Sequence, residues 1–320
     1  MLRHMDGFEQ FGGIAAADLP EALASAGYQS SGDVRTTGGA SEGLSVAVGK
    51  TDGSSPASFS RTFKSTADVV VLGFAYKAPA ARGTIVEIKD VLTLDWVGNV
   101  LVGTTAGTAL PLLDTWYYFE IVVDRDARTA AVYINDGLDL QVMLSDTAIG
   151  INSLEVKWPT AGDVKCIDDV VFIDSADGKF IDRVGPVALT YRLPMYDQAA
   201  EWSPSKSMPH FELVNNLPPL EDEYIQSNIS GARDSFLSDT PLPDDGEILA
   251  VGEVVRARKS DIDGRQLGLY MGETTTSEVL IDEMSMENQF YYAVFEKTPA
   301  GADWNRENLG LNPFGVIVRP

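Results

Sequence analysis

Short runs of β-branched and aromatic residues, separated by glycine, aspartate and asparagine, recur along most of this 320-residue chain. They are clearest in four segments of the first half: Asp68–Tyr76, Gly83–Lys89, Trp116–Asp124 and Arg128–Asn135. Such residues favour extended backbone and the separating residues favour tight turns, so the pattern predicts antiparallel sheets. A chain of this kind folds by packing one sheet on another rather than by packing helices.

Turn residues between the runs predict which strands are neighbours. Trp116–Val123 and Ala130–Ile134 are expected to pair across a polar turn, and the Asn135-Asp136-Gly137 step that follows is typical of another tight hairpin. Ile88–Trp96 and Val97–Thr104 are expected to pair through Gly98-Asn99. One helix is predicted in this half, over residues 18–26.

A change in composition near residue 184 divides the chain. Residues 194–246 hold many of the 16 prolines, and proline removes a backbone donor, so this stretch is predicted to be mostly extended loop. Strands are expected again in four segments: Glu247–Lys259, Arg265–Met271, Phe290–Glu296 and Phe314–Val318. The sequence therefore predicts two domains, residues 1–183 and 184–320, each long enough to bury a core.

The first half resembles a known family in its central hairpin and at both ends. The residues that carry the resemblance are Thr115–Asp124 and Ala131–Gly137, the opening Asp6-Gly7-Phe8-Glu9, and the closing strand Ile167–Phe172. They resemble concanavalin A-like (laminin G-like) jelly rolls. The resemblance implies an all-β protein with an N-terminal two-sheet jelly-roll sandwich and a smaller, loop-rich β C-terminal domain. A β-sandwich of another topology is the alternative.

Six pieces of the second half resemble another family in order and spacing. They are Arg183–Val187, Ala200–Ser205, Tyr224–Ser227, Gly231–Phe236, Val254–Asp261 and Asn312–Val316. Together they are similar to the C-terminal module of tailed-bacteriophage virion proteins that carry a concanavalin A-like domain in front. The resemblance implies a structural component of the virion, made in the host cytoplasm. It is expected to be a tail or neck appendage of the fibre or adhesin type, with a capsid decoration or head-fibre protein as the alternative.

Charge and hydropathy exclude two classes of partner. The chain has 24 Lys and Arg against 47 Asp and Glu, a formal charge of -23, and neither half carries a basic patch for phosphates. Nucleic acid and anionic membranes are therefore not expected to bind it. Apolar runs such as Val69–Ala75 are far shorter than the ~20 residues of a membrane span. The first residues lack the apolar core of a secretory signal.

No catalytic residue is predicted. Retaining glycoside hydrolases need two carboxyl groups roughly 5–5.5 Å apart, and residues i, i+2 and i+4 of a strand share one face. Glu120 and Asp124 have the outer spacing, but Val122 lies between them. We therefore expect no enzymatic activity. A polysaccharide depolymerase is kept as a further alternative, with Glu120 and Asp124 as the first residues to mutate.

Two kinds of binding residue are predicted in the sandwich. Trp96, Tyr76 and Trp158 are the candidates for a carbohydrate platform, since sugars stack on aromatic faces. Calcium is the one cofactor that the resemblance implies, held where the first and last strands meet, and Asp6 and Asp169 would be its carboxylates. No cofactor is required by the sequence.

An aromatic strand in the second half predicts a contact surface. Tyr291, Tyr292 and Phe295 lie in one run, and adjacent residues of a strand face opposite sides. The strand is therefore expected to pack on its own core and against a partner. We expect a homo-oligomer, with a trimer by analogy to fibrous appendages. Other phage structural proteins are expected as partners, and a host-surface glycan is the candidate ligand.

Overall fold

The computed structural model describes residues 1–40, 43–49, 55–80, 82–145, 153–161, 163–176, 179–180, 182–239, 241–242 and 246–320. They form two compact units, Met1–Leu189 and Thr190–Pro320. The division therefore lies after Leu189 rather than after residue 183. The reason is that residues 183–189 are hydrogen-bonded to the first unit, as described below.

The first unit consists of short strands, one α-helix and one 3-10 turn. Its strands are β1 (Leu2–Asp6), β2 (Tyr28–Ser31), β3 (Val34–Gly38), β4 (Leu44–Val48), β5 (Ala57–Lys64), β6 (Val69–Lys77), β7 (Thr84–Ile88), β8 (Leu92–Val97), β9 (Asn99–Val102), β10 (Thr105–Ala106), β11 (Tyr117–Asp124), β12 (Thr129–Ile134), β13 (Gly137–Met143), β14 (Ser153–Thr160) and β15 (Lys165–Asp174). The 3-10 turn is Glu9–Phe11, and the helix α1 is Leu19–Ser25.

These strands form two antiparallel sheets that pack face to face. The larger sheet has the order β13-β12-β11-β6-β15-β4-β3, with β1 also paired to β15. The second sheet has the order β10-β9-β8-β7-β14-β5-β2. Most neighbours are not consecutive in the chain, which therefore passes repeatedly between the sheets, as in a jelly roll. The prediction of an all-β protein with an N-terminal two-sheet jelly-roll sandwich is confirmed.

The predicted hairpins are present with the expected turns, but the first strand of the second hairpin begins at Leu92. Ile88 ends β7, and a turn over residues 89–91 separates it from β8. In the β11–β12 pair, Val122 lies opposite Ala131, and β8 and β9 meet around Gly98. Between β12 and β13, Asn135 and Asp136 have φ angles of 46° and 76°. Two positive φ angles are what a two-residue hairpin turn requires, and Asn and Asp tolerate them.

Aromatic rings from both sheets fill the core of the sandwich. Phe74 of β6 stacks on Phe119 of β11 with ring centroids 5.7 Å apart, and Trp158 of β14 meets Phe74 edge-on at 5.6 Å. Phe63 of β5 stacks on Phe172 of β15 at 4.5 Å. Each such pair adds about 0.5–1.5 kcal/mol to the stabilisation from area burial.

The second unit is a smaller arrangement of sheets. Its elements are β16 (Tyr196–Ala200), β17 (Ser203–Pro204), α2 (His210–Val214), β18 (Ile225–Gln226), β19 (Arg233–Leu237), β20 (Val251–Ala257), β21 (Gln266–Met271), β22 (Ser277–Ile281), β23 (Gln289–Phe295), α3 (Arg306–Leu311) and β24 (Phe314–Arg319). A five-stranded sheet has the order β16-β19-β24-β21-β22, and β20 pairs with β23. The buried core comprises Leu267, Leu269, Met271, Ala293, Phe295, Trp304 and Val316.

One central strand of this unit lies inside the segment predicted to be loop. β19 is hydrogen-bonded on both sides, to β16 and to β24. Asp234 in its middle is fully buried. Because aspartate is uncommon in strands, this residue makes β19 hard to recognise from the sequence. Its carboxylate accepts hydrogen bonds from the backbone of Glu201 and Trp202 and contacts His210. The helices among the described residues are too short or too polar to cross a membrane.

Candidate functional site

The three aromatic residues predicted to stack on sugars lie in the core. Trp96 and Tyr76 are 2% exposed and Trp158 is 0% exposed. Tyr76 shares the inward face of β6 with Phe74, and their rings meet edge-on at 6.5 Å. None of the three rings presents a face to a ligand, so the predicted carbohydrate platform is wrong. Strand periodicity gives two faces but does not say which one is buried.

Asp6, one of the two predicted calcium ligands, is saturated by hydrogen-bond donors. Its Oδ1 accepts from the backbone N–H of Phe8 at 2.9 Å and from Gln10 Nε2 at 2.8 Å. Its Oδ2 accepts from the hydroxyl of Tyr28 at 2.9 Å. A hard cation needs oxygen ligands that are free to face it, and here N–H and O–H donors occupy both oxygens. This carboxylate does not fit the predicted site.

Asp169, the second predicted ligand, is held by a different segment. It lies at a β-bulge of β15 with a φ angle of 48°, and its Oδ1 accepts from the backbone N–H of Leu189 at 2.8 Å. The donors described for Asp169 and for Asp6 come from different segments of the chain. Within the described ranges, no group of three or more His, Cys, Asp or Glu is arranged to hold a metal ion.

Three acids of the sandwich, Glu9, Asp168 and Asp169, have raised pKa values. Burial raises the pKa of Asp168 and of Asp169, and their mutual repulsion raises that of Asp168 further. Burial, followed by the charges of Asp168 and Asp6, raises the pKa of Glu9 to about 8. These groups therefore titrate near neutral pH. Protonation of these carboxyl groups removes the repulsion between their negative charges, which a bound cation would otherwise offset.

Glu120, the first residue of the depolymerase alternative, anchors the segment that follows the sandwich. It is 2% exposed. Its Oε2 accepts from Arg183 Nη2 at 2.8 Å and Nε at 3.1 Å. Its Oε1 accepts from the backbone N–H groups of Val184 at 3.1 Å and Gly185 at 2.9 Å. Both carboxylate oxygens are thus occupied.

Residues 183–189, which we call the strap, cross one face of the larger sheet. At one end the Arg183 guanidinium lies 4.1 Å from the centre of the Tyr133 ring, and at the other end Leu189 is bonded to Asp169. Phe119 points into the core, so its neighbour Glu120 points to the opposite face. The strap therefore covers the face that is turned away from the second sheet.

Asp124, the other candidate of the depolymerase alternative, stabilises a turn. Its Oδ1 accepts from the backbone N–H of Ala127 at 2.7 Å, inside the β11–β12 turn. Asp124 is therefore engaged in a turn, whereas Glu120 holds the strap.

The aromatic strand of the second unit faces its own core more than was expected. Phe295 is 5% exposed within the hydrophobic cluster, and Tyr291 packs against the same cluster. The hydroxyl of Tyr291 accepts from the backbone N–H of Ser285 at 2.8 Å. Residues 291, 293 and 295 share one face of β23. The buried Phe295 is therefore wrong as a contact residue, whereas the half-buried Tyr291 stays a prediction. Tyr292, half-buried on the other face, stays a prediction.

A groove that the sequence did not predict opens at one edge of the sandwich. It has a volume of about 520 Å³, and it lies between β13 of the larger sheet and the β8–β10 region of the second sheet. Its apolar lining residues are Val91, Leu92, Val102, Val142, Met143 and Leu144, and the others are glycine, threonine, glutamine and serine. The two lining segments are far apart in the chain, so no local pattern indicates that they meet.

Comparisons with known proteins find only distant structural likenesses. No protein-family model matches the sequence, and no curated protein matches it. Among solved structures, the chain is similar to a sialidase, with a TM-score of 0.40 and 15% identity over 55% of this chain and 19% of the sialidase. It is similar to peanut lectin, with a TM-score of 0.37 and 9% identity over 53% of this chain and 96% of the lectin.

A further similar structure is the cellulose-induced protein Cip1, with a TM-score of 0.36 and 15% identity over 53% of this chain and 97% of Cip1. At these values the likeness carries no functional argument. The function therefore has to be argued from the residues of this chain.

Proposed function

We propose that this chain is a non-enzymatic structural component of a tailed-phage particle. One observation carries the non-enzymatic part. Glu120, which the depolymerase alternative pairs with Asp124, is buried and accepts four hydrogen bonds from the strap. A carboxylate held in this way positions backbone rather than a substrate. The virion part is supported by the six pieces of the second half that resemble phage virion modules.

In this proposal the two units have different tasks. The second unit attaches the protein to the particle or to its own copies, and the sandwich projects from the tail or neck. A host-surface glycan is its proposed ligand, bound at a surface other than the three buried aromatic residues. The acidic charge of -23 keeps such a surface from sticking to nucleic acid.

The position on the particle is tested by labelling. Antibody fragments raised against the purified chain are bound to intact virions and located by electron microscopy. Label at the tail or neck supports the appendage, and label on the head supports a capsid decoration or head fibre. Absence of the chain from purified virions by mass spectrometry would contradict the proposal.

The non-enzymatic part is tested with host polysaccharide. The full chain is incubated with capsular material, and reducing ends are measured over time against a Glu120→Gln variant and an Asp124→Asn variant. We expect no release in any of the three. Release by the parent chain that either variant loses would establish a depolymerase instead.

A further inference from the structure

The loop between β20 and β21 presents an isoleucine to solvent. Ile262 is 97% exposed, and residues 258–265, which we call the Ile262 loop, surround it. Arg265 Nη2 lies 2.8 Å from carboxylate oxygens of both Asp261 and Asp263. The backbone N–H of Asp263 donates to Asp261 Oδ1 at 3.1 Å. The apolar side chain therefore stands on a loop whose shape is fixed by its own ion pairs.

One further bond lies within the loop, and one joins the loop to the rest of its unit. Lys259 Nζ donates to the Asp263 carbonyl at 2.7 Å, and Arg265 Nη1 donates to the Asn228 carbonyl at 2.9 Å. Single exposed apolar residues are common on protein surfaces. This one differs because the loop that carries it is already ordered by these bonds. The loop therefore loses little conformational entropy when a partner binds, and such preorganisation strengthens association.

The base of the loop is the most basic part of an acidic chain. Four of the 24 basic residues fall between positions 256 and 265: Arg256, Arg258, Lys259 and Arg265. Arg256 pairs with Glu221, whereas Arg258 is exposed and forms no ion pair with any residue that the structure describes. The loop therefore favours an acidic partner. A second copy of this chain presents such an acidic group, the exposed Asp90, beside its sandwich groove.

The groove of the sandwich has the complementary character. None of its eleven lining residues is charged, in a chain of which 22% of residues are charged. Met143 is 73% exposed at its wall, and the exposed Asp90 directly precedes the lining residue Val91. β13 is the outermost strand of its sheet, so this rim also has backbone groups that another chain can bind.

We infer that the Ile262 loop of one copy docks into the sandwich groove of a second copy. Ile262 enters the uncharged lining beside Met143, and Arg258 approaches Asp90 at the rim. The loop and the groove are different surfaces, so the contact is heterologous: it closes into a ring or continues as a row of copies. It deepens the proposed function, in which the second unit attaches the protein to the particle or to its own copies, and it rests on that function only in this respect.

A single contact of this kind is weak on its own. One loop in one groove buries less than the roughly 800 Å² per partner of a standard interface. Repetition around a ring or along a particle strengthens it by raising the effective concentration of the next copy. The experiment must therefore trap the contact rather than rely on its affinity.

Cysteine trapping in the full-length protein tests the inference. Ile262→Cys and Met143→Cys variants, one with a purification tag, are mixed under copper–phenanthroline oxidation, and the reducible mixed dimer is quantified. The native Cys166 is buried and is present in every sample as background. The matched control replaces Ile262→Cys by Leu311→Cys, because Leu311 is another strongly exposed apolar residue of the second unit, at 73%. We expect the mixed dimer with Ile262→Cys to exceed the control.

Charge reversal provides the second test. Adding Arg258→Glu to the Ile262→Cys variant is expected to lower the mixed-dimer yield at low salt, and adding Asp90→Arg to its Met143→Cys partner is expected to restore it. Two results would overturn the inference. One is a mixed-dimer yield equal to that of the Leu311→Cys control. The other is an Ile262→Cys self-dimer that outcompetes the mixed one, since this indicates a symmetric contact.

Discussion

Replacing Glu120 by alanine tests how the strap is held on the sandwich. The substitution removes an acceptor for Arg183 and leaves the buried N–H groups of Val184 and Gly185 without a partner. An unsatisfied buried donor costs about 1–3 kcal/mol, and breaking a buried ion pair costs about 3–5 kcal/mol. Arg183 is partly exposed and keeps Asp136, so we expect the lower part of that range, about 3 kcal/mol.

Hydrogen exchange on the full-length protein measures this cost separately in each unit. In Glu120→Ala, amides of residues 183–189 and of β11 should exchange faster, while peptides of the second unit stay unchanged. The matched control is Glu155→Ala, a strand glutamate whose exposed pair with Lys89 is worth about 0–1 kcal/mol. If the two variants lose equal protection, the reasoning about the strap is refuted.

Three further predictions concern the cores and the acids. Glu253 is buried, its Oε2 has no hydrogen-bond partner in the part of the chain that the structure describes, and burial raises its pKa. The unfolded state therefore loses this proton first, and the second unit loses stability as the pH rises above about 4.5, the usual pKa of glutamate. Glu253→Gln should raise stability at pH 7 and flatten the profile of the urea midpoint against pH. An unchanged profile would refute this. Because Asp6 is saturated by donors, neither EDTA nor added calcium should shift the melting temperature; a calcium-dependent rise would show that the carboxylate rearranges. Phe74→Ala should destabilise the sandwich by about 3–5 kcal/mol in denaturant titrations, and a loss below 1 kcal/mol would contradict the packing of Phe119 and Trp158 on it.

Local signals in the sequence were sufficient for the hairpins. The β12–β13 turn depends on Asn135 and Asp136, whose ability to adopt positive φ angles is a property of those residues alone. The β11–β12 pair follows from two alternating runs on either side of a short polar turn. Elements of this kind are predictable because each is specified by residues close together in the chain.

Sites that depend on distant contacts were not predictable in the same way. The prolines of residues 194–246 predicted loop, yet Asp234 lies there in a central strand, and donors from residues 201, 202 and 210 surround its carboxylate. The core positions of Trp96 and Trp158 depend on which face of each strand meets the other sheet. The groove needs two segments that only the fold brings together.

The strap also has a mechanical consequence for any load that passes between the units. The chain enters the second unit directly after Leu189, so tension on Thr190 reaches the bond between Leu189 and Asp169 first. The bonds between Glu120 and residues 183–185 carry the load next. Peeling of the strap would lengthen the connection by about 3.3–3.6 Å per released residue while every strand of the sandwich remained paired.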